Sequence, residues 1–380
     1  MLPLSPTKRD PDSKTLLLAL STVFKVRGGI PRFNQMLCLA LDELSQTLGL
    51  RVKVLSIHDS MPDYLEHGSP WKHVEFVPCG SYSGTVRRVL RECLRERVDV
   101  FLVGLIGMTP LGLLARPFLT HGFGFIAHGE EVWTRVRPSR LIPARAARYA
   151  FSVSEYTAQE MCRHNSIDPA RVRILPNTVA PEFEKMPAEG RPGDAGLEIL
   201  SVSRLWIEDR RKGVDVTLRV LSRLAKRFPS LRYRVVGKGA GKQQLVALAS
   251  SLGLDGHVLF EQDLDDSQLA ERYRQCSVFV LPSGQEGFGI VFLEAMRFAK
   301  PCVGGSPGGA PEIVEDGTTG FIVPFGNEHS LEAALERLLA DADLRRRMGE
   351  AGRKRLEERF LYSRFKERLE ALLRAWFSEA

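Results

Sequence analysis

Residues Leu281–Pro324 read LPSGQEGFGIVFLEAMRFAKPCVGGSPGGAPEIVEDGTTGFIVP. An apolar, strand-like run, Cys276–Leu281, leads into them, and glycines, two spaced glutamates and the start of an amphipathic run follow at once. Glu286 and Glu294 are eight positions apart, with Gly287 and Gly289 between them and Ile290–Phe298 behind. A helix beginning near Phe288 leaves Glu286 in the loop above its N-terminus and sets Glu294 more than a turn down one side. At ~1.5 Å of rise per residue the carboxylates then lie roughly 10 Å apart along the axis. Two carboxyl groups acting on one glycosidic bond stand about 5–9.5 Å apart, so this is no hydrolytic pair. The spacing suits contacts to opposite ends of one elongated ligand, with an anion between them at the helix N-terminus, where free N–H groups and the dipole favour negative charge.

Upstream, short apolar runs alternate with helical patterns: Leu197–Ser203, helix Val214–Arg227, Arg232–Val236, helix Lys242–Leu252, His257–Phe260, helix Asp266–Gln275 and Val278–Leu281. The first half alternates in the same way. Thr15–Phe24 precedes Gly28-Gly29 and the helical run Ile30–Leu48; then come Val52–Ile57, helix Thr85–Arg97, Val100–Val103, a helix around Pro110–Phe118, Phe123–Ala127, Ala150–Val153, helix Glu155–His164 and Val172–Pro176. Such alternation predicts mainly parallel sheets covered on both faces. The proline-, glycine- and charge-rich stretch Asn177–Gly196 is the linker candidate. The expected organisation is a disordered tail at 1–14, an N-terminal domain at 15–180, a linker at 181–196, a C-terminal domain at 197–357, and a last helix at 358–380 returning to the first domain.

A chain of 380 residues suits two domains rather than one core. Its 44% apolar content is that of an ordinary globular protein, and its net charge of +7 suits an acidic partner. The six cysteines are dispersed without a Cys-x-x-Cys, as expected of reduced thiols in the cytoplasm. The opening MLPLSPTKRDPDSK is polar and proline-containing, which predicts no signal peptide, and no apolar run reaches the length of a membrane span.

Arg204 and Lys212 follow the strand ILSVS, at the carboxyl edge where open α/β sheets bind ligands. Two cations there offset the charge of a diphosphate, and more strongly as it departs; the alternative is a pair of solvated surface cations beside Arg210 and Arg211. Gly237–Lys242 imitates a phosphate-binding loop but is one residue short, and Gln243 stands where a magnesium-binding hydroxyl belongs. Asp263-Leu264-Asp265 is an Asp-x-Asp that recurs at Asp10–Asp12 and Asp341–Asp343, so Asp265 or Asp266 reads better as a helix cap. No His or Cys cluster has metal-ligand spacing.

Taken together, Glu286-Gly287-Phe288-Gly289 with Glu294 resembles the Glu-x7-Glu motif of the retaining GT-B glycosyltransferases, family four. The resemblance covers most of the chain: Gly28-Gly29-Ile30, His128-Gly129-Glu130, Ser152-Val153-Ser154, Pro176-Asn177-Thr178, Ser203-Arg204-Leu205, Lys212-Gly213-Val214-Asp215 and Gly308–Glu312 follow in the family's order. It implies two doubly wound Rossmann-like domains facing each other across a cleft. It also implies a UDP- or GDP-sugar as donor substrate, no cofactor and no metal, and retained anomeric configuration. By the same resemblance Glu286 faces the donor sugar and Glu294 the ribose. Arg204 and Lys212 grip the diphosphate with amides near Gly289, Ile290 and Val291, Gly28-Gly29 approach the same phosphates, and His128 stands near the reacting sugar. The segment Leu205–Arg211 is longer than the family's usual gap, which leaves Arg211 and Lys212 as rival phosphate ligands.

Glu130 and Trp133 are read as lining the acceptor side. Arg135, Arg137, Arg140, Arg145 and Arg148 fall in a stretch without an acid, which suits a phosphate-bearing acceptor or an anionic membrane surface. Arg87, Arg88, Arg91, Arg95 and Arg97 form a helix face partly neutralised by Glu92 and Glu96. Aromatics are not interleaved with these arginines, so no nucleic-acid partner is expected. The expected activity is sugar transfer to a glycan or glycolipid of the cell envelope, polysaccharide or lipopolysaccharide in type, at the inner face of the membrane. A nucleotide-sugar epimerase of similar architecture and a catalytically silent binding subunit are the alternatives.

Overall fold

The computed structural model describes residues 14–68, 70–187, 196–206 and 210–378. The expected tail, apart from Lys14, and the middle of the expected linker lie outside the described residues. The chain divides into two compact units, Met1–Val153 with Ala158–Leu175 and Phe365–Ala380, and Ser154–Thr157 with Pro176–Arg364.

The first unit runs β1 (Lys14–Leu20), α1 (Gly29–Leu48), β2 (Leu50–Ser56), α2 (Met61–Glu66), β3 (Val74–Pro78), α3 (Tyr82–Arg95), β4 (Val100–Val103), α4 (Thr109–Ala115), β5 (Phe123–Ala127), α5 (Pro138–Ala146), β6 (Tyr149–Ser152), α6 (Glu155–Asn165) and β7 (Val172–Ile174). Among the described residues its strands form a seven-stranded parallel sheet in the order β3-β2-β1-β4-β5-β6-β7. Leu16 to Leu20 are fully buried without alternation, the pattern of a strand covered on both faces.

The second unit runs α7 (Pro181–Lys185), β8 (Glu198–Val202), α8 (Val214–Arg227), β9 (Arg232–Val236), α9 (Lys242–Ser251), β10 (Val258–Glu261), α10 (Asp266–Gln275), β11 (Val278–Leu281), α11 (Ile290–Arg297), β12 (Cys302–Ser306), α12 (Ala310–Ile313), β13 (Gly320–Pro324), α13 (Glu328–Ala340) and α14 (Ala342–Arg359); α15 (Tyr362–Ser378) follows. Its parallel sheet has the order β10-β9-β8-β11-β12-β13. Both sheets reverse direction beside their first strand, between β1 and β4 and between β8 and β11. These are the switch points at whose carboxyl ends open α/β sheets bind ligands. Each unit thus folds as an open, doubly wound, Rossmann-like parallel sheet.

From Phe365 onward α15 belongs to the first unit. Trp376 is fully buried there, edge-on to Tyr149 at 5.3 Å and 5.5 Å from Phe151, and its indole N–H donates to the His121 carbonyl at 2.9 Å. An aromatic anchor with its polar atom satisfied is a strong packing element.

Several elements differ from the sequence reading. The first strand stops at Leu20 rather than Phe24, because the next peptide groups leave the sheet and bond to side chains. The strand β3 was not foreseen; it is a half-buried edge strand, VEFVP, whose pattern is weak. Two prolines, Pro138 and Pro143, hide α5. Pro181–Lys185 of the expected linker is a helix of the second unit. Residue Asp265 caps α10 in a reciprocal capping box with Gln268, as its position predicts.

Candidate functional site

At the second unit's switch point, β8 leads into Ser203–Trp206 and β11 into Pro282–Gly289. The first of these segments is held by the glycine-rich turn that imitates a phosphate loop. Leu205 N–H donates to the Lys238 carbonyl at 3.0 Å and Gly241 N–H to the Leu205 carbonyl at 2.7 Å. A Cβ on Gly237 would stand 1.8 Å from the Ser203 carbonyl oxygen, so these glycines serve close backbone approach. Arg204 follows, exposed, at the strand end.

Lys212 ends a 3-10 turn, Arg210–Lys212, ahead of α8. Its Nζ lies 3.0 Å from Glu286 Oε2, with both side chains largely buried at 12% and 16% exposure. Arg211 is exposed, and its carbonyl accepts from Gly284 N–H at 2.8 Å. Of the two rival cations, it is thus Lys212 that faces Glu286.

The helix α11 begins at Ile290, two residues later than expected, because Gly289 caps it in the left-handed region at φ 101°. Phe288 and Ile290 are buried and Val291 is half-buried. Gly309 N–H donates to the Glu286 carbonyl at 2.6 Å, which fastens the segment Gly308–Glu312 to this loop. The Gly287 carbonyl accepts from Ser154 Oγ at 2.7 Å, and Glu312 accepts from the Glu155 and Tyr156 amides at 2.9 and 2.7 Å. Burial of Glu312 nevertheless raises its carboxyl above the usual range.

Glu294 is buried, and Tyr273 donates its phenol proton to Glu294 Oε2 at 2.8 Å. Burial, then the Glu294 charge, pushes the Tyr273 phenol well above its ordinary value, so it stays a donor. The sequence reading missed Tyr273, whose only local signal is an aromatic on the apolar face of a short helix. Three further polar atoms near these residues are buried without a hydrogen-bond partner: Ser203 Oγ, Ser283 Oγ and Gln285 Oε1. Buried polar atoms are normally satisfied, and these exceptions, in the two segments that follow β8 and β11, suit a polar ligand.

In the first unit, the loop after β1 ends at Gly28, which caps α1, and Gly29 opens the helix; both are exposed. His128 follows β5. Its Nε2 lies 3.0 Å from the Gly104 carbonyl, so that nitrogen carries the proton and Nδ1 is left as an acceptor. The ring stands edge-on to Phe33 at 5.0 Å, and the His128 amide donates to Glu131 Oε1 at 2.5 Å. Burial lowers the imidazole pKa against the opposing pull of Glu131 and Gly104, which keeps the ring neutral near pH 7.

The remaining acceptor-side residues divide by exposure. Trp133 is buried at 7%, whereas Glu130, Arg135, Arg137 and Arg140 are exposed. Asn165 pins their loop, donating to the Val132 and Thr134 carbonyls and accepting from Val136 N–H. Arg137 caps α5, and the Arg140 guanidinium lies over Gly107. Arg145 bonds the Asn165 carbonyl and Arg148 stands over Tyr149, both in packing contacts. On α3, Arg88 pairs with Glu92 and Glu75, while Arg87, Arg91 and Arg95 are exposed; just beyond the helix, Arg97 pairs with Asp99. Among the described residues no cluster of His, Cys, Asp and Glu could hold a metal ion, and no helix is long and apolar enough to cross a membrane.

Comparison with known proteins places these features. Residues 182–355 match the model for glycosyl transferases group 1, and residues 27–183 the model for glycosyltransferase family 4. The chain is 32% identical over 261 residues to the GDP-mannose-dependent alpha-(1-6)-phosphatidylinositol monomannoside mannosyltransferase of Mycolicibacterium smegmatis, covering 64% of this chain and 67% of that one. It is 32% identical over 234 residues to the D-inositol 3-phosphate glycosyltransferase of Streptomyces bingchenggensis, covering 57% of this chain and only half of that protein. Among solved structures, a glycosyltransferase from Rickettsia africae superposes with a TM-score of 0.81 at 17% identity, covering 97% of this chain and all of that one. Anabaena Alr3699/HepE, solved in complex with UDP, superposes at 0.75 and 18% identity, covering 95% of this chain and all of that one.

Proposed function

The chain belongs to the group 1 glycosyltransferases, and from that premise we propose that it is a retaining enzyme moving a sugar from a nucleoside-diphosphate sugar to a glycan or glycolipid. The observation that carries the reading is the cluster at the second switch point: Arg204 at the strand end, Lys212 on Glu286, Glu294 on Tyr273, and the three unsatisfied buried polar atoms beside them. In this reading Glu294 takes the ribose and Glu286 the sugar hydroxyls. Arg204 and Lys212 with the α11 amides take the diphosphate, where fixed cations stabilise the charge that develops as it leaves. The bond from the anomeric carbon to the phosphate oxygen breaks. The acceptor hydroxyl attacks on the same face, and its proton passes to the departing phosphate. Lys212 and Arg204 supply the positive charge, so no metal step is needed. In the first unit, neutral His128 has its Nδ1 lone pair to offer a hydroxyl group.

UDP- and GDP-sugars are the proposed donors; the Mycolicibacterium relative is named for GDP-mannose and the Anabaena structure holds UDP. The proposed acceptor belongs to the cell envelope, at the cytoplasmic face of the membrane. The first unit supports peripheral attachment there. Arg87, Arg91, Arg95, Arg116, Arg135 and Arg137 are exposed on or beside α3, α4 and α5, where Leu94, Leu114, Phe118 and Ile142 are exposed at 70, 41, 42 and 63%. Cations near an anionic surface contribute about 1 kcal/mol each, and apolar side chains add insertion.

A thermal-shift series with UDP, GDP and ADP tests the donor. A nucleotide at about a hundred times its dissociation constant stabilises the fold by about 2.7 kcal/mol, and no shift with any of them overturns the reading. Incubation with donor alone separates the rivals: interconversion of the sugar without acceptor identifies an epimerase. Co-sedimentation with phosphatidylglycerol vesicles, but not with phosphatidylcholine vesicles, is expected; equal failure with both removes the membrane assignment.

A further inference from the structure

At the amino edge of the first sheet, where β6 opens at Tyr149 and β7 at Val172, a cavity of about 150 Å³ lies between the end of α5 and the end of α6. That edge is opposite the carboxyl ends at the switch point, because all strands of the sheet run parallel. A cavity of this size holds a molecule about as large as benzene. Buried Ala144, Ala147 and Ile167 give it an apolar floor.

The rim is charged. Arg145 Nε donates to the Asn165 carbonyl at 3.1 Å, and Arg171 Nη1 donates to the Arg145 and Ala147 carbonyls at 3.0 and 3.3 Å. These bonds hold both guanidinium groups in place, while among the described residues both Nη groups of Arg145 and the Nη2 of Arg171 make no hydrogen bond to protein. Asp168 is the carboxylate of the lining, and it is already engaged: Oδ1 accepts from Ala170 N–H at 3.0 Å and Oδ2 lies 3.7 Å from Arg171 Nε. Ser166, just after α6, holds the left-handed region at φ 50°, where glycine is usual, and so sets a hydroxyl on the rim. Two cations against one anion match a ligand of single negative charge. Planar guanidinium groups match a carboxylate, and the alanine floor matches a short aliphatic tail.

The geometry points to a binding site for a short-chain carboxylate, its head on Arg145 and Arg171 and its tail on Ala144, Ala147 and Ile167. Every residue of the site belongs to the first unit, and none takes part in the donor reading above. Occupancy has a path into the rest of that unit. Arg145 is bonded to Asn165, whose side chain donates to the Val132 and Thr134 carbonyls and accepts from Val136 N–H at 2.8 Å. A carboxylate that steadies Arg145 therefore steadies the loop Val132–Val136.

The test titrates the full-length protein with sodium butyrate, against sodium chloride at equal ionic strength, and follows amide chemical shifts. Saturable shifts centred on Ala144, Ala147 and Ile167 are expected, with none there from butylammonium chloride. Exchange of the Val136 N–H is expected to slow several-fold at saturation, since a ligand in excess disfavours any opening that releases it. Arg145→Lys keeps the charge but loses the planar fork, and should weaken butyrate binding about tenfold or more. Ala147→Met fills the cavity from its floor, leaves both arginines, and should abolish binding; should either variant not fold, the wild-type shift map still decides. Shifts that never saturate, that arise equally with chloride or butylammonium, that centre elsewhere, or that persist undiminished in both variants overturn the proposal. Tighter binding of inorganic phosphate than of butyrate at the same residues overturns the choice of carboxylate, and unchanged Val136 exchange at saturation overturns the path through Asn165.

Discussion

Lys212 Nζ stands 3.0 Å from Glu286 Oε2, an ion pair between residues 74 positions apart in sequence. The pair joins the turn before α8 to the loop before α11. Each charge is thereby held in place before any ligand arrives, which is the condition under which fixed charges act without reorganising.

Lys212→Ala is expected to lower kcat/KM for transfer by about 10²-fold or more, in the range for loss of one preorganised charge. Arg211→Ala is expected to cost less than Lys212→Ala, because the Arg211 carbonyl bond to Gly284 N–H survives the substitution and the ion pair of Lys212 with Glu286 is untouched. Steady-state kinetics of the two variants side by side check this, and equal losses would reverse the assignment.

Tyr273→Phe removes the bond to Glu294 while keeping the ring that stacks on Phe298. A buried carboxylate that loses a donor is left poorly satisfied, at about 1–3 kcal/mol. The expected outcome is a matching drop in stability by denaturant titration and a raised KM for donor, with kcat at saturation little changed.

Gly213 sits at φ 74° before α8, and a Cβ there would stand 2.6 Å from the Pro282 carbonyl oxygen. Gly213→Ala therefore combines left-handed strain of about 1–2 kcal/mol with a backbone clash that must be relieved by moving Lys212 or Pro282. Urea unfolding should show at least that loss, and activity should fall further than stability explains because Lys212 is the adjacent residue.

In the first unit, Lys53 Nζ is buried between Glu92 at 2.7 Å and Glu96 at 3.0 Å. Burial lowers the Lys53 pKa, but the hydrogen bonds and charges of Glu92, Glu96 and Glu75 outweigh it and raise the value; burial of Glu92 is likewise outweighed by Lys53 and Arg88, and its carboxyl is lowered. A raised lysine contributes stability that is whole below its unfolded value of about 10.5 and is lost as pH rises past the folded one. A depressed carboxylate contributes stability that is whole above its unfolded value of about 4.3 and is lost as pH falls through the folded one. The difference in thermal midpoint between wild type and Lys53→Ala should thus be level from about pH 5 to pH 9 and shrink on either side. Lys53→Ala should cost about 3 kcal/mol, the scale for leaving one partner of a buried pair behind, and flatten the alkaline limb.

The spacing of apolar runs was enough to establish alternation of strand and helix, because burial on both faces of a parallel sheet demands continuous apolar strands and one-faced helices. Glu286, Gly289 and Glu294 could likewise be set around a helix start from their separation alone. The weak edge strand Val74–Pro78 and the proline-bearing helix Pro138–Ala146 escaped that reading, since edge exposure and missing N–H groups erase the periodic signal. What only the tertiary structure decided is who meets whom. Sheet order brings Lys212 rather than Arg211 to Glu286, sets Tyr273 on Glu294, and closes Asp59 on amides 34 to 36 positions away. No periodicity in the chain encodes those pairings. They follow from which strands become neighbours, and that is settled by the burial of the whole sheet.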